Sequence, residues 1–317
     1  MAEYVVKRLL WFIPVILITL TVLFLLLQIL PGDPIRAAFG QEVPLSPERV
    51  AVLRAELGLD QPVYARYFKW LWDVAHLNLG TSFFTGSTVS EQLATRLPVT
   101  VTLLAISMFL VIALSLPCGV LSGYYRGRWP DLVVRSICIL LISLPHFWVA
   151  VVAILLLLKM WGWFVPIQYA TIFTDPSTAL QQLVIPALIM ALRPFGIATR
   201  MIRSSMIEVL EENYIRTARA KGVTELRLTR LHALPNSMLP VVTYYGLEVI
   251  VLLGGTVVME QIFAVPGIGS MIAQAAYNHD LYVLQGAVLV LLFVALFVNL
   301  GLDILYAKLD PRIRFEE

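Results

Sequence analysis

The chain has 317 residues, of which 59% are apolar and only 14% charged, and its mean hydropathy is +0.82. About a quarter of the residues of a soluble domain are charged, so this composition excludes an ordinary globular protein and points to one embedded in a bilayer. The net charge of +2 says nothing as a total, and the 2 cysteines, Cys118 and Cys138, lie in apolar runs with neither disulfide nor metal spacing.

In chain order, Lys7 and Arg8 precede the apolar stretch 9–30, which is too long for a signal-peptide core and lacks a small-residue cleavage site. It is predicted to stay as a first membrane helix. Spanning a hydrocarbon core takes about 20 residues. Five further stretches qualify, 99–122, 132–158, 182–201, 240–262 and 285–307, with Pro117, Pro145, Pro186 and Pro194 tolerated in or beside them. If the N-terminus is inside, most of the 23 lysines and arginines fall on cytoplasmic segments. The positive-inside rule therefore predicts both termini in the cytoplasm.

The predicted organisation is all-α and polytopic. Residues 1–30 are the cytoplasmic N-terminus and first span, 31–97 a helical external insertion, 98–307 a five-helix core, and 308–317 a cytoplasmic tail. In the insertion, Ser46-Pro47-Glu48 predicts a helix start and Gly58 its stop. Tyr64, Tyr67, Phe68, Leu71 and Trp72 predict a second helix with one aromatic face. That face suits either the membrane interface or a docking or gating cap.

Between the fourth and fifth spans lies a charged excursion, 203–238, in an otherwise lipid-soluble chain. Ile207, Leu210, Tyr214 and Ala218 are predicted to share a helical stripe, and Glu212 with Arg216 to form an i,i+4 pair. Gly222 after Lys221 should end that helix in the left-handed conformation. Thr224 should cap a second short helix through about Leu231, with Pro235 and Pro240 bracketing re-entry into the membrane. Cations that set topology or bind anionic headgroups are one reading; a rigid handle gripped by another protein is the other.

No G-x-x-x-x-G-K-[ST] loop, H-E-x-x-H pattern or paired-cysteine metal spacing occurs, so no catalytic, cofactor or metal site is expected in this chain. His146 and His279 are scattered and carry no metal argument. The polar candidates within the spans are Glu248, near the middle of the fifth, Glu260, near its external end and expected to be solvated, and Asp303, within reach of Lys308 or Arg312. Gly254-Gly255-Thr256 suits close helix packing or a lining of the path.

The excursion resembles the cytoplasmic Glu-Ala-Ala loop of type-I ATP-binding-cassette importer permeases. Gly222, Leu234 and Pro235 match that pattern, while Arg216, Thr217 and Ala218 stand where the family has Glu-Ala-Ala. A basic residue there, in Tyr-Ile-Arg-Thr-Ala-Arg-Ala-Lys-Gly, is similar to the dipeptide, oligopeptide and nickel branch. The likeness runs along the whole chain: Leu30-Pro31-Gly32-Asp33-Pro34, Leu77 to Ser82, Arg96-Leu97-Pro98, Ser143-Leu144-Pro145, Leu253 to Glu260, Pro266-Gly267-Ile268-Gly269 and Leu309-Asp310-Pro311-Arg312.

The resemblance implies a type-I importer permease fold that forms half of a path for small peptides or a similar solute. Nickel chelates, glutathione and oligosaccharides are the alternatives within the branch. It implies a second homologous permease, two ATPase subunits that bind the ATP and magnesium, and an external solute-binding protein, with the lipid bilayer as surroundings and no nucleic acid. Tyr214, Arg216, Thr217, Ala218, Ala220, Gly222, Thr224, Arg227, His232, Leu234 and Pro235 would then be the ATPase-docking residues. A stand-alone secondary transporter would need paired half-sites in an inverted repeat, and none is evident. A membrane-embedded enzyme would need a catalytic constellation at membrane depth, where only isolated carboxylates stand.

Overall fold

A computed structural model describes residues 2–29, 46–56, 60–164, 169–170 and 175–309. The Leu30–Pro34 motif, Gly58 and the tail from Asp310 onward lie outside these residues, as do the side chains of Lys308 and Arg312. The described part is helical, with one isolated β-bridge between Thr81 and Thr88. The helices are α1 (Ala2–Ile29), α2 (Pro47–Glu56), α3 (Val63–Ala75), α4 (Val89–Tyr124), α5 (Trp129–Ser143) and α6 (His146–Trp161). They continue as α7 (Pro176–Leu210), α8 (Asn213–Ala220), α9 (Glu225–Leu228), α10 (Leu234–Ile262), α11 (Ile268–Asn278) and α12 (Leu281–Leu309).

Among the described residues, four helices are long and apolar enough to cross a membrane: α4, α7, the continuous run Glu225–Ile262, and α12. In α1 the described apolar stretch is Leu10–Leu26. The span predicted at 132–158 is not one rod. It is α5 and α6, which meet at 98°. Pro145 has no N–H to continue the helix and forces the residue before it out of the helical region; Leu144 is accordingly extended, at φ −84° and ψ 126°. Pro186 and Pro194, by contrast, stay inside α7.

The chain divides into two compact units, each with its own interior. One comprises residues 1–99 and 266–300, the other 100–265 and 301–317. In the first, Val89, Leu93, Ile268, Met271, Ala275 and Ala287 form one buried cluster. A second cluster sets Leu20 and Phe24 of α1 against Trp70 of α3 and Leu289 of α12. Phe24 meets Tyr67 edge-on with 5.3 Å between ring centres and stacks on Trp70 at 5.6 Å, while Thr21 and Tyr67 share a 2.6 Å hydrogen bond. The single aromatic face predicted for α3 is therefore two faces. Tyr67 and Leu71 turn inward with Trp70, and Tyr64, Phe68 and Trp72 are exposed. Residues 64, 68 and 72 fall a turn apart, so one helix carries an apolar stripe on each side.

In the second unit, α7 is the central rod, packed by α5, α6 and α10. Glycines permit the approach. A Cβ on Gly119 of α4 would come within 2.5 Å of Ile202, and one on Gly123 within 2.8 Å of Met206. Small residues four apart let helix backbones close up in this way.

Candidate functional site

The excursion 203–238 is an elbow built almost wholly of helix. α7 runs on to Leu210 and stops at Glu211. After α8, Gly222 adopts φ +81°. The Gly222 N–H donates to the Arg219 carbonyl at 3.0 Å and the Val223 N–H to the Ala218 carbonyl at 3.3 Å, the two bonds of a Schellman ending. A side chain at Gly222 would meet nothing within 4 Å, so the backbone angle alone calls for glycine there.

Three local expectations are corrected. First, the stripe Ile207, Leu210, Tyr214, Ala218 does not exist as one face. Glu212 is extended at φ −65° and ψ 148°, which resets the helical phase. Ile215 becomes the fully buried anchor and Tyr214 is 44% exposed. Second, Glu212 and Arg216 form no ion pair, since Glu212 precedes α8 and accepts the Arg216 N–H through its backbone carbonyl. Among the described residues, the exposed pairs at the elbow are Arg126 with Glu211 and Arg219 with Glu225, the latter fork-to-fork across Gly222 at 2.6 and 3.3 Å. An exposed pair of this kind is worth under about 1 kcal/mol, and it bridges α8 and α9.

Third, Thr224 gives no side-chain cap and the following helix does not end near Leu231. The helix passes through a π turn, Thr229–Ala233, in which the Leu234 N–H reaches back to the Thr229 carbonyl, and continues as α10. Pro235 sits at the start of that segment. It lacks an N–H and crowds the carbonyl four residues back, and a widened turn relieves that crowding. Leu234-Pro235 thus marks a bulge in a continuous rod, not a point where the chain re-enters from a loop.

The elbow has an anchored side and a free side. Ile215, Leu228 and Ala233 are fully buried. Arg216, Thr217, Ala220, Thr224, Arg227 and Pro235 are exposed, and Ala218, His232 and Leu234 are partly so. Among the cations stand two large apolar side chains, Leu226 at 64% and Leu231 at 59% exposure. Basic groups interleaved with exposed leucines make a surface for protein contact more readily than one for water alone.

Where the elbow leaves α7, a buried carboxylate holds the base. Asp131 has no exposed surface. It accepts hydrogen bonds from the Ser122 hydroxyl (2.6 Å), the Gly127 N–H (2.9 Å), and Arg203 Nε (2.6 Å) and Nη2 (2.9 Å). One side chain so ties α4, the turn after it, α5 and α7. Sequence reasoning counted Arg203 only as a charge and passed over Asp131. The available signals were an aspartate at the mouth of an apolar helix and the Gly119-x-x-x-Gly123 spacing.

The membrane-depth candidates separate as well. Glu260 is not solvated. It is wholly buried and accepts a 2.7 Å hydrogen bond from Thr100. Burial first, and then the charge of Glu260, push the Tyr169 phenol up to about 12. Glu248 is buried too, with Tyr244 one turn before it and Arg193 of α7 as its polar neighbours. Thr256 is buried and turns its hydroxyl back to the Leu253 carbonyl at 2.8 Å. Gly254 and Gly255 face open space, with no atom of this chain within 4 Å of an added Cβ. The close approach on α10 is instead at Gly246, where a Cβ would come 1.8 Å from Leu302. Asp303 is partly buried on α12.

Comparison with known proteins agrees with this architecture. Residues 115–315 match the family described as binding-protein-dependent transport system inner membrane component, and residues 1–104 match its N-terminal component. A peptide transport system permease protein of Brucella abortus (strain 2308) is 42% identical over 100% of both chains. The dipeptide transport system permease protein DppB of Escherichia coli (strain K12) is 35% identical, again over 100% of both. The glutathione transport system permease protein GsiC of Salmonella choleraesuis (strain SC-B67) is also 35% identical over 100% of both. Among solved structures, an inward-facing form of the MetNI methionine ABC transporter aligns with a TM-score of 0.57 at 18% identity, covering 70% of this chain and 97% of that one. At that identity the likeness speaks for the fold alone. With matches along nearly its whole length, this chain belongs to the family of binding-protein-dependent transport system inner membrane components, the multi-pass permeases of ATP-binding-cassette importers.

Proposed function

We propose that the chain forms half of a path for di- or oligopeptides and couples it to ATPase subunits through the 203–238 elbow. Peptide and dipeptide permeases lead the relatives it matches, which supports that substrate class. A glutathione permease at 35% identity keeps the γ-linked tripeptide as the second reading. The partners on this reading are a second homologous permease, two ATPases that bind ATP and magnesium, and an external solute-binding protein. Both termini, and with them the elbow, lie in the cytoplasm.

The observation that carries the coupling role is the continuity of the elbow with α10. A push on α9 enters the membrane through a helix that runs unbroken from Glu225 to Ile262. Turning a two-state bundle from one side to the other takes about 5.5 kcal/mol of differential binding, and a stiff element can deliver it. Gly222→Pro should abolish ATP-driven uptake and weaken co-purification of the ATPases. Uptake and assembly that persist unchanged in that variant would sink the coupling role.

A further inference from the structure

The second unit carries a guanidinium where lipid should not meet one. Trp129, exposed at the start of α5, and Arg126 and Arg128 before it mark a membrane interface. Asp131, in the first turn of that helix, grips Arg203 of α7 and so sets Arg203 at the same level. Arg193 lies about 15 Å farther along the axis of α7, which is half of a hydrocarbon core about 30 Å thick. It is exposed. Among the described residues its guanidinium makes no hydrogen bond and no ion pair, and Glu248 acts on it only at longer range.

A lipid-facing arginine at that depth is expensive, and the midpoint is too far from either headgroup layer for the side chain to snorkel. Ionisable groups there face the bundle interior or water, and the rest of the face says which. Ile197, Arg200 and Ser204 follow Arg193 at one-turn intervals, so all four share one side of α7. Arg200 and Ser204 are exposed as well, and Ile197 is half-buried. That side is therefore polar and open from the bilayer middle towards the elbow. The outer half of α7 exposes Val184 and Leu188 on the opposite side. Lipid suits the second kind of face and water the first. Glu248 is buried, so the charge that such water meets is positive.

We infer that this face of α7 lines a water-filled vestibule open at the elbow end, with Arg193 at its head, and that its cations draw anionic groups such as carboxylates to the middle of the bilayer. The inference rests on the chain forming half of a path. It is tested on the assembled transporter in nanodiscs at low salt, with Cys118→Ala and Cys138→Ala removing the native thiols and Ile197→Cys as reporter. Two water-soluble methanethiosulfonates, one carrying a sulfonate and one a trimethylammonium group, should both modify the reporter much faster than Leu155→Cys on the apolar α6. Relative to their rates with free 2-mercaptoethanol, the sulfonate should be favoured about tenfold, as a fixed cation one turn away in water implies. Arg193→Gln should remove most of that preference. Where Ile197→Cys fails to assemble, Ser204→Cys with Arg200→Gln makes the same comparison one turn from its own cation. Reporters no faster than Leu155→Cys would overturn the inference, as would a preference that the loss of the arginine leaves unchanged. ATP-driven uptake of tritiated tri-alanine by wild-type proteoliposomes tests the path separately. Uptake with silent reporters sinks only the vestibule, and charge-selective modification without uptake sinks only the peptide path.

Discussion

The two charge clusters of this molecule are built on opposite plans. Around Asp131 every lone pair has a donor, the carboxylate is shut away from water, and Arg203 meets it with both arms of its fork. On α3, Lys69 and Asp73 lie one turn apart beside a cavity, and among the described residues neither makes an ion pair or a side-chain hydrogen bond. Burying a charge is costly unless it is fully paired, so the first cluster closes on itself and holds helices together. The second leaves its charges at an accessible wall. Whether a polar group in an apolar chain is structural or receptive thus shows in how completely it is satisfied.

Substitutions can break that contrast or sharpen it. The largest effect is expected at the closed cluster. Asp131→Ala strands Arg203 and should cost about 3 kcal/mol, near the low end for a broken buried pair because Arg203 keeps some contact with water. Thermal unfolding in detergent would read this, and Lys69→Gln and Asp73→Asn should leave the same curve within about 0.5 kcal/mol. The glycines of α10 repeat the contrast. Gly246→Ala drives a methyl into Leu302 and should cost about 1–3 kcal/mol, while Gly254→Ala, with open space before it, should unfold like the wild type.

Gly222→Ala tests a position that is open in space but closed in angle. A left-handed alanine costs about 1 kcal/mol, so stability should fall slightly while ATP-driven uptake falls further, and Gly222→Asn should recover part of the uptake. The smallest effect concerns Asp175, partly exposed yet fully engaged at the start of α7. The Thr178 hydroxyl first, then the Ser177 hydroxyl and the two backbone N–H groups, hold its carboxyl down at about 2. A folded-state value below the unfolded value of about 3.9 gives stability that is complete above the latter and lost as pH falls through the former. The difference in unfolding temperature between wild type and Asp175→Ala should therefore be constant from neutral pH to about pH 5 and shrink between about pH 4 and pH 2.

The long spans in α4, α7, α10 and α12 were legible because length and sustained hydrophobicity are properties of a segment by itself. So was Gly222, since a cation followed by glycine at the end of a polar helix has few other meanings. What escaped depends on distant partners or on phase. Glu260 looked solvated because Thr100, which satisfies it, is 160 positions away in sequence. Asp131 passed unnoticed for a similar reason, since Arg203, which pairs with it, is 72 positions away. The stripe through Tyr214 failed because one extended residue, Glu212, rotates everything after it. Pro145 breaks its helix where Pro186 and Pro194 do not, and nothing in the flanking residues distinguishes the three.

The bulge at Thr229–Ala233 works like a shim in a drive shaft. One surplus residue is taken up between α9, with its exposed Leu226, and α10 without loosening the shaft. Deleting a residue within the bulge would return an ordinary turn of nearly the same phase, whereas a residue added to the regular helix after it would swing the elbow's outer face by about 100°. A partner seated on that face would then find it pointing elsewhere, so the widened turn absorbs an extra amino acid that the helix beside it could not.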